Sequence, residues 1–127
     1  MLIKEIMNNA VAIEQDISLK QAAKIMSDKN IGSLVVVKGK NISGILTEKD
    51  ILKNISDLDK KIHSAMSKNV ITINENVDID EAAMLMSKSK IKRLPVLDHE
   101  NGKLIGIVTS TDLVAHSEEI SDEFLFD

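Results

Sequence analysis

The feature that most constrains this chain is its repetition. Ala22-Ala23-x-x-Met26-Ser27 returns as Ala82-Ala83-x-x-Met86-Ser87, and Ile31-x-x-Leu34-x-Val36 returns as Ile91-x-x-Leu94-x-Val96. Gly44-Ile45-Leu46-Thr47-Glu48-Lys49-Asp50 returns as Gly106-Ile107-Val108-Thr109-Ser110-Thr111-Asp112. With Met7 echoed by Met66 and Val11 by Val70, the period is about 60 residues. Two copies at so long a period read as a duplicated half-domain, not a solenoid. A half of about 60 residues buries too little apolar surface alone, so the halves are expected to share a core. The expected division is residues 1–60 and 61–127.

Each half carries the same order of elements. Met1 to Met7 is a short mixed lead-in. Val11-Ala12-Ile13 is an apolar run bounded by polar residues and predicts a strand. Ser18-Leu19-Lys20-Gln21 has the form of a capping box, and the spacing of Leu19, Ala22, Ala23 and Met26 predicts a helix to about Lys29. Ser33 to Val37 predicts a buried strand, joined through Lys38-Gly39-Lys40-Asn41 to Ile42 through Leu46 as a hairpin. Thr47 then opens a helix with Ile51, Leu52 and Ile55 expected on one side. Ser56 to Lys61 is polar and reads as a linker.

The second half repeats this reading. Val70 to Ile73 predicts a strand, Asp78 caps a helix through Lys88, and Leu94 to Leu97 pairs with Leu104 to Val108 across the Asn101-Gly102 turn. Pro95 has no N–H, so its strand is expected at an edge or starting at the proline. The fold class is therefore α/β (α+β), with β-α-β-β-α twice. Met7, Met26, Met66, Met84 and Met86 are expected to fill core gaps.

The repeated Gly-apolar-apolar-Thr-x-x-Asp stretch is the candidate for chemistry. A helix N-terminus has unpaired N–H groups and partial positive charge, which suits an anion. An ionised carboxylate one turn in accepts hydrogen bonds only, which suits the paired hydroxyls of a sugar. Thr-x-x-Asp is also close to a capping box, and cap and ligand site are compatible. The preceding glycine is expected to permit close approach of a ligand to the backbone.

Composition excludes several alternatives. The chain has no Cys, so thiol chemistry and disulfides are absent. Its three histidines, His63, His99 and His116, lack metal-site spacing and read as ordinary surface residues. Formal charge is −4, the basic residues are scattered, and the only aromatics are Phe124 and Phe126. Nucleic acid is thus not an expected partner. No apolar run approaches membrane-spanning length and no signal peptide is evident, so a cytoplasmic protein is expected. With no nucleophile–base pair, metal cluster or acid–base pair, catalysis is not expected. The acidic stretch from Glu118 to Asp127 is expected to solvate a terminal turn. Phe124 and Phe126 are expected to pack on the body or join an interface.

This pattern resembles the cystathionine-β-synthase (CBS) domain, in a tandem pair of the kind called a Bateman module. The resemblance rests on the duplicated Gly-h-h-Thr-x-x-Asp ends, the Ala-Ala-x-x-Met helices and Ile91-Lys92-Arg93-Leu94-Pro95-Val96. It runs from about Met7 to Ala115 and implies a stand-alone CBS-domain protein in which two repeats pack sheet to sheet with pseudo-twofold symmetry. It further implies a non-catalytic regulatory module that binds an adenosine-containing ligand, either AMP, ADP or ATP or S-adenosylmethionine. No cofactor is required. A homodimer and a separate, unidentified protein effector are implied as well; a ligand-free dimerisation or scaffold module is the alternative.

By that resemblance one cleft takes Thr47, Lys49 and Asp50 with Val70, Ile71, Ile91, Lys92, Arg93 and Pro95. The other takes Thr109, Thr111 and Asp112 with Val11, Ala12, Ile31, Gly32 and Ser33. Because Arg and Lys clamp phosphate well, the cleft grouping Asp50 with Lys92 and Arg93 is expected to take the phosphorylated ligand. The Asp112 cleft is expected to bind weakly or to take a less charged compound.

Overall fold

The computed structural model of the protein describes residues 1–116, so Phe124 and Phe126 and the acidic stretch lie outside the described residues. The chain divides into two compact units, Val11–Val70 and Met1–Ala10 with Ile71 onward. These are offset by ten residues from the expected division, because the lead-in of each repeat packs with the other repeat's strands and helices. Residues 61–70 belong with the first set and residues 1–10 with the second.

The Val11–Val70 unit contains β1 (Ala12–Glu14), α1 (Leu19–Lys29), β2 (Ser33–Lys38), β3 (Asn41–Thr47) and α2 (Glu48–Lys53). β2 is central, parallel to β1 and antiparallel to β3. Helix α1 starts and stops where local chemistry dictates. Ser18 Oγ accepts the Gln21 N–H at 3.1 Å, and Gln21 Oε1 accepts the Ser18 N–H at 2.9 Å. At its other end Asn30 takes the left-handed conformation, and the Ile31 N–H reaches back to the Met26 carbonyl at 3.0 Å. Leu19, Ala22 and Met26 face inward onto Leu34, Val36 and Leu46, with Ile51 and Ile62 completing the cluster.

The Ser56–Lys61 segment is no free linker. Its Leu58 and Lys60 carbonyls accept the Lys20 and Leu19 N–H groups, both at 2.9 Å, which satisfies donors that a helix start leaves unpaired. Helix α2 is shorter than two turns, so of the three apolar residues expected on one side only Ile51 is buried. Leu52 and Ile55 are 67% and 63% exposed.

The other unit contains β4 (Ile73–Asn74), α3 (Ile79–Ser89), β5 (Arg93–Leu97), β6 (Leu104–Thr109) and α4 (Ser110–Ala115). Ile3 and Ile6 of the lead-in join Ile79, Ala82, Ala83, Met86, Leu94, Val96, Val108 and Leu113 in its core. Buried residues at 79, 82, 83 and 86 define one face of α3, and Met84 falls on the opposite face. It is 67% exposed, contrary to its expected core role.

Pro95 sits in the central strand, not at an edge. The sheet accommodates it by shortening β4. In the other unit the Val35 N–H donates to the Val11 carbonyl at 2.9 Å, ahead of β1. Pro95 holds the matching position and has no N–H to give. β4 accordingly begins only at Ile73, opposite Val96, and the strand expected from Val70 is two residues long.

Candidate functional site

Both repeated stretches end a strand and start a short helix. Thr47 caps α2: its hydroxyl donates to Asp50 Oδ2 at 3.1 Å and accepts the Asp50 N–H at 3.4 Å. The Thr47 N–H also donates to Asp50 Oδ2, at 2.9 Å. Thr109 and Asp112 repeat the arrangement at 2.9, 3.2 and 2.8 Å. Each carboxylate therefore keeps one oxygen on its own cap, and among the described residues no hydrogen bond reaches the other. Both aspartates are partly buried.

The next donor of each helix is taken as well. The Glu48 N–H donates to the Gly32 carbonyl at 3.2 Å, and the Ser110 N–H donates to the Lys92 carbonyl at 2.9 Å. With six residues per helix and most first-turn donors engaged, the carboxylate is the stronger feature of each site and the helix terminus the weaker. At the far end of α2, Asn54 Nδ2 donates to the Asp50 carbonyl at 2.7 Å. Asn54 Oδ1 in turn accepts from Lys60 Nζ at 2.8 Å.

The glycines answer to packing, not to a ligand. A Cβ on Gly44 would lie 2.6 Å from Met66 Sδ and 2.7 Å from the Ser67 carbonyl oxygen. On Gly106 it would lie 2.7 Å from Met7 Sδ and 2.9 Å from the Asn8 oxygen. Ser67 exchanges a pair of 3.0 Å backbone hydrogen bonds with Ile45, and Asn8 exchanges a pair at 2.9 Å with Ile107. The lead-in segments thus lie against the glycines through isolated bridges, which is why a bare Cα is needed there.

Sheet register sorts the remaining residues. Ser33 pairs with Thr47, and Arg93 pairs with Thr109. Directly paired residues project from the same face, so Ser33 neighbours the Asp50 cap and Arg93 neighbours the Asp112 cap. Val11, Ala12, Ile31, Gly32, Ser33, Thr47, Lys49, Asp50 and Val70 fall in one unit. Ile71, Ile91, Lys92, Arg93, Pro95, Thr109, Thr111 and Asp112 fall in the other. The expected grouping of Lys92 and Arg93 with Asp50 draws on both units. Within a unit, the register places these two cations beside Thr109 and Ser110.

Two features escaped the sequence reading. Asn8 Nδ2 donates to Asp112 Oδ2 at 2.9 Å across 104 residues; the alignment of Met7-Asn8 with Met66-Ser67 was the signal available. The second is a cluster of Glu75, Asp98 and His99, whose ligand-type atoms lie within 4.8 Å of one another. Glu75 Oε2 accepts from the His99 N–H and from Nδ1, both at 3.1 Å. This holds the Glu75 carboxyl below its ordinary range and lifts the imidazole above its own. Asp98 is lowered by the N–H groups of Glu100 and Asn101 in the turn. These hydrogen bonds account for the cluster.

A groove of about 370 Å³ opens between α1 and α2, lined in part by Ala23, Met26, Asn30, Glu48 and Leu52. Of the expected site residues only Ile31 lines it, and neither Thr–Asp cap contributes to its lining. Among the described residues no helix is long and apolar enough to cross a membrane.

The family model for the CBS domain matches residues 3–57 and 60–119. The solved CBS domain pair of protein MJ0100, in complex with 5'-methylthioadenosine and S-adenosyl-L-methionine, is 34% identical. The match covers 95% of this chain and 98% of that one, with a TM-score of 0.84. The uncharacterized protein MJ1232 of Methanocaldococcus jannaschii is 34% identical over 102 residues, covering 80% of this chain and 34% of that protein. Inosine-5'-monophosphate dehydrogenase of Thermoplasma acidophilum is 32% identical over 113 residues, which is 89% of this chain and 23% of the enzyme. The chain therefore spans a quarter to a third of the length of these two curated relatives.

Proposed function

The chain belongs to the CBS domain family as a pair of CBS repeats, and from that premise we propose that it is a non-catalytic module binding adenosine-containing ligands at Asp50 and Asp112. The observation that carries the reading is the repeated Thr–Asp cap, in which one carboxylate oxygen is held by the helix start and the other is left for an outside donor. Two vicinal ribose hydroxyls are donors of that kind. Support comes from the MJ0100 pair, alike over nearly its whole length, whose ligands are both adenosyl compounds.

The adenine lies among aliphatic side chains, with Ile91 and Ile71 in the Asp112 unit and Ile31 and Val11 in the Asp50 unit. The anionic end of a ligand such as AMP, ADP or ATP falls to the Asp112 side, where Arg93 pairs with Thr109 and Lys92 adjoins Ser110. The Asp50 side offers Lys49 with Gly32 and Ser33 and takes less charged adenosyl compounds. This assignment differs from the grouping of Lys92 and Arg93 with Asp50 that the family resemblance implies. Ligand occupancy is passed to a separate protein effector, and the module acts as a homodimer.

Thermal melting with AMP, ATP, S-adenosylmethionine and 5'-methylthioadenosine tests the reading. At 100 times the dissociation constant a true ligand stabilises the fold by about 2.7 kcal/mol. Asp112→Asn is expected to weaken AMP and ATP more than Asp50→Asn does. If none of the four compounds shifts the melt, the chain is a dimerisation or scaffold module and not a sensor.

A further inference from the structure

Resting on the adenosyl reading above, we propose that Asn8 is a positioning residue that makes the two sites unequal by locking the Asp112 carboxylate. Three donors converge on Asp112 Oδ2: the Thr109 N–H at 2.8 Å, the Thr109 hydroxyl at 2.9 Å and Asn8 Nδ2 at 2.9 Å. Among the described residues, Asp50 Oδ2 has the two from Thr47 alone.

The difference lies in one side chain, because the backbones are seated alike. Asn8 exchanges its N–H and carbonyl with Ile107 just as Ser67 exchanges its own with Ile45. Each sits over a glycine that leaves no room for a Cβ. Ser67 fills the position matching Asn8, and no hydrogen bond joins it to Asp50.

The chemical consequence follows from the carboxylate's torsion. The terminal torsion of an aspartate is broad and roughly twofold, so two donors from a single capping residue leave it room to turn. A third donor from a different segment fixes the plane and presents Oδ1 in one direction. A ribose then meets an acceptor already oriented, and less freedom is lost on binding. Asn8 is uncharged, so the lock does not offset the anionic charge that the hydroxyls seek.

Isothermal titration with S-adenosylmethionine and with AMP decides it, using Asp50→Asn chains in which Asp112 is the remaining site. Adding Asn8→Ala is expected to raise the dissociation constant about tenfold. The melt of the free chain falls too, since a hydrogen bond to a charged group is lost, whereas a merely structural role would lower the melt and leave the dissociation constant unchanged. Asn8→Ser, which copies the other repeat, is the second variant should the alanine chain fold poorly. In the reciprocal Asp112→Asn background, Ser67→Asn is expected to tighten the Asp50 site. An unchanged dissociation constant in the Asn8 variants, with the parent still binding, overturns the positioning role alone. Failure of the unsubstituted chain to bind either compound overturns the adenosyl reading and this proposal together.

Discussion

Replacing Gly44 by alanine tests the packing behind the Thr47–Asp50 cap. The new Cβ would meet Met66 Sδ at 2.6 Å, the Ser67 carbonyl oxygen at 2.7 Å and Met66 Cγ at 2.8 Å. Methionine is flexible and can swing aside. The Ser67 carbonyl cannot, since it accepts the Ile45 N–H at 3.0 Å while the Ser67 N–H returns the bond at 3.0 Å. Reaching ordinary contact at 3.4 Å requires a retreat of about 0.7 Å. That displacement stretches both hydrogen bonds past useful length.

Overpacking costs about 1–3 kcal/mol and two backbone hydrogen bonds about 1 kcal/mol each, against a gain of about 0.5–1 kcal/mol from a stiffer unfolded chain. The net is a loss of about 3 kcal/mol, which lowers the melting temperature by on the order of 10 °C. Urea unfolding of Gly44→Ala and of Gly44→Ala/Met66→Ala measures it. Because the double variant relieves only the sulfur, it should recover part of the loss at most. A single variant within 0.5 kcal/mol of the parent, or a double variant fully restored, refutes the backbone clash. Gly106→Ala, with its nearest backbone atom at 2.9 Å, should be the milder of the two.

Three further outcomes follow. Lys90 takes a left-handed conformation at φ 56° at the end of α3, so Lys90→Gly should stabilise the chain by about 1 kcal/mol in urea unfolding. Ser18→Ala removes the acceptor of the Gln21 N–H and should cost about 1 kcal/mol by the same assay. The third outcome concerns pH. His99 is raised, first by its hydrogen bond to Glu75, so its contribution is full below about pH 6.5 and is lost as pH rises through the folded-state value. Glu75, Asp78 and Asp98 are lowered, chiefly by N–H donors from His99, Asp80 and Glu100 respectively. Their contribution is full above the ordinary carboxylate range and is lost as pH falls through the folded-state values. The His99 ring resonances should titrate above the ordinary histidine value, and Glu75→Gln should bring the midpoint back down. A midpoint unmoved by Glu75→Gln removes the carboxylate as the cause.

What could be read from the sequence was whatever one segment decides by itself. The limits of α1 follow from Ser18 and Gln21 at one end and Asn30 at the other, so its expected span matches the observed one. The caps at Thr47 and Thr109 are local in the same sense. What escaped depended on which segments meet. Pro95 predicts an edge strand or one starting at the proline because a central strand needs donors on both sides. The strand instead runs from Arg93 in the middle of its sheet, and the partner strand β4 begins later. Gly44 was assigned to a ligand because the Met66-Ser67 segment, two dozen residues downstream, is invisible from Gly44 itself. That Arg93 pairs with Thr109 in its own sheet is likewise a matter of strand register, which no single segment displays.

The lead-in segments tie these observations into one account of how a site could answer to its ligand. Each cap is complete without one, because Asp50 and Asp112 already bond their own helix starts through Oδ2. A ribose that takes Oδ1 leaves that bond in place, so binding need not unwind the helix. The strand end behind each cap lies against the lead-in, through Gly44 and Ser67 or through Gly106 and Asn8. Paired backbone hydrogen bonds of 3.0 Å and 2.9 Å join each strand end to its lead-in, so under the proposed function a displacement of the cap is carried to the lead-in. The lead-ins, and not the helices' exposed faces, are on this argument the segments through which occupancy of each cap would be felt by the rest of its unit. Asn8 adds a direct bond from lead-in to carboxylate at one cap and Ser67 does not at the other, so the Asp112 cap should be the more strongly coupled of the two.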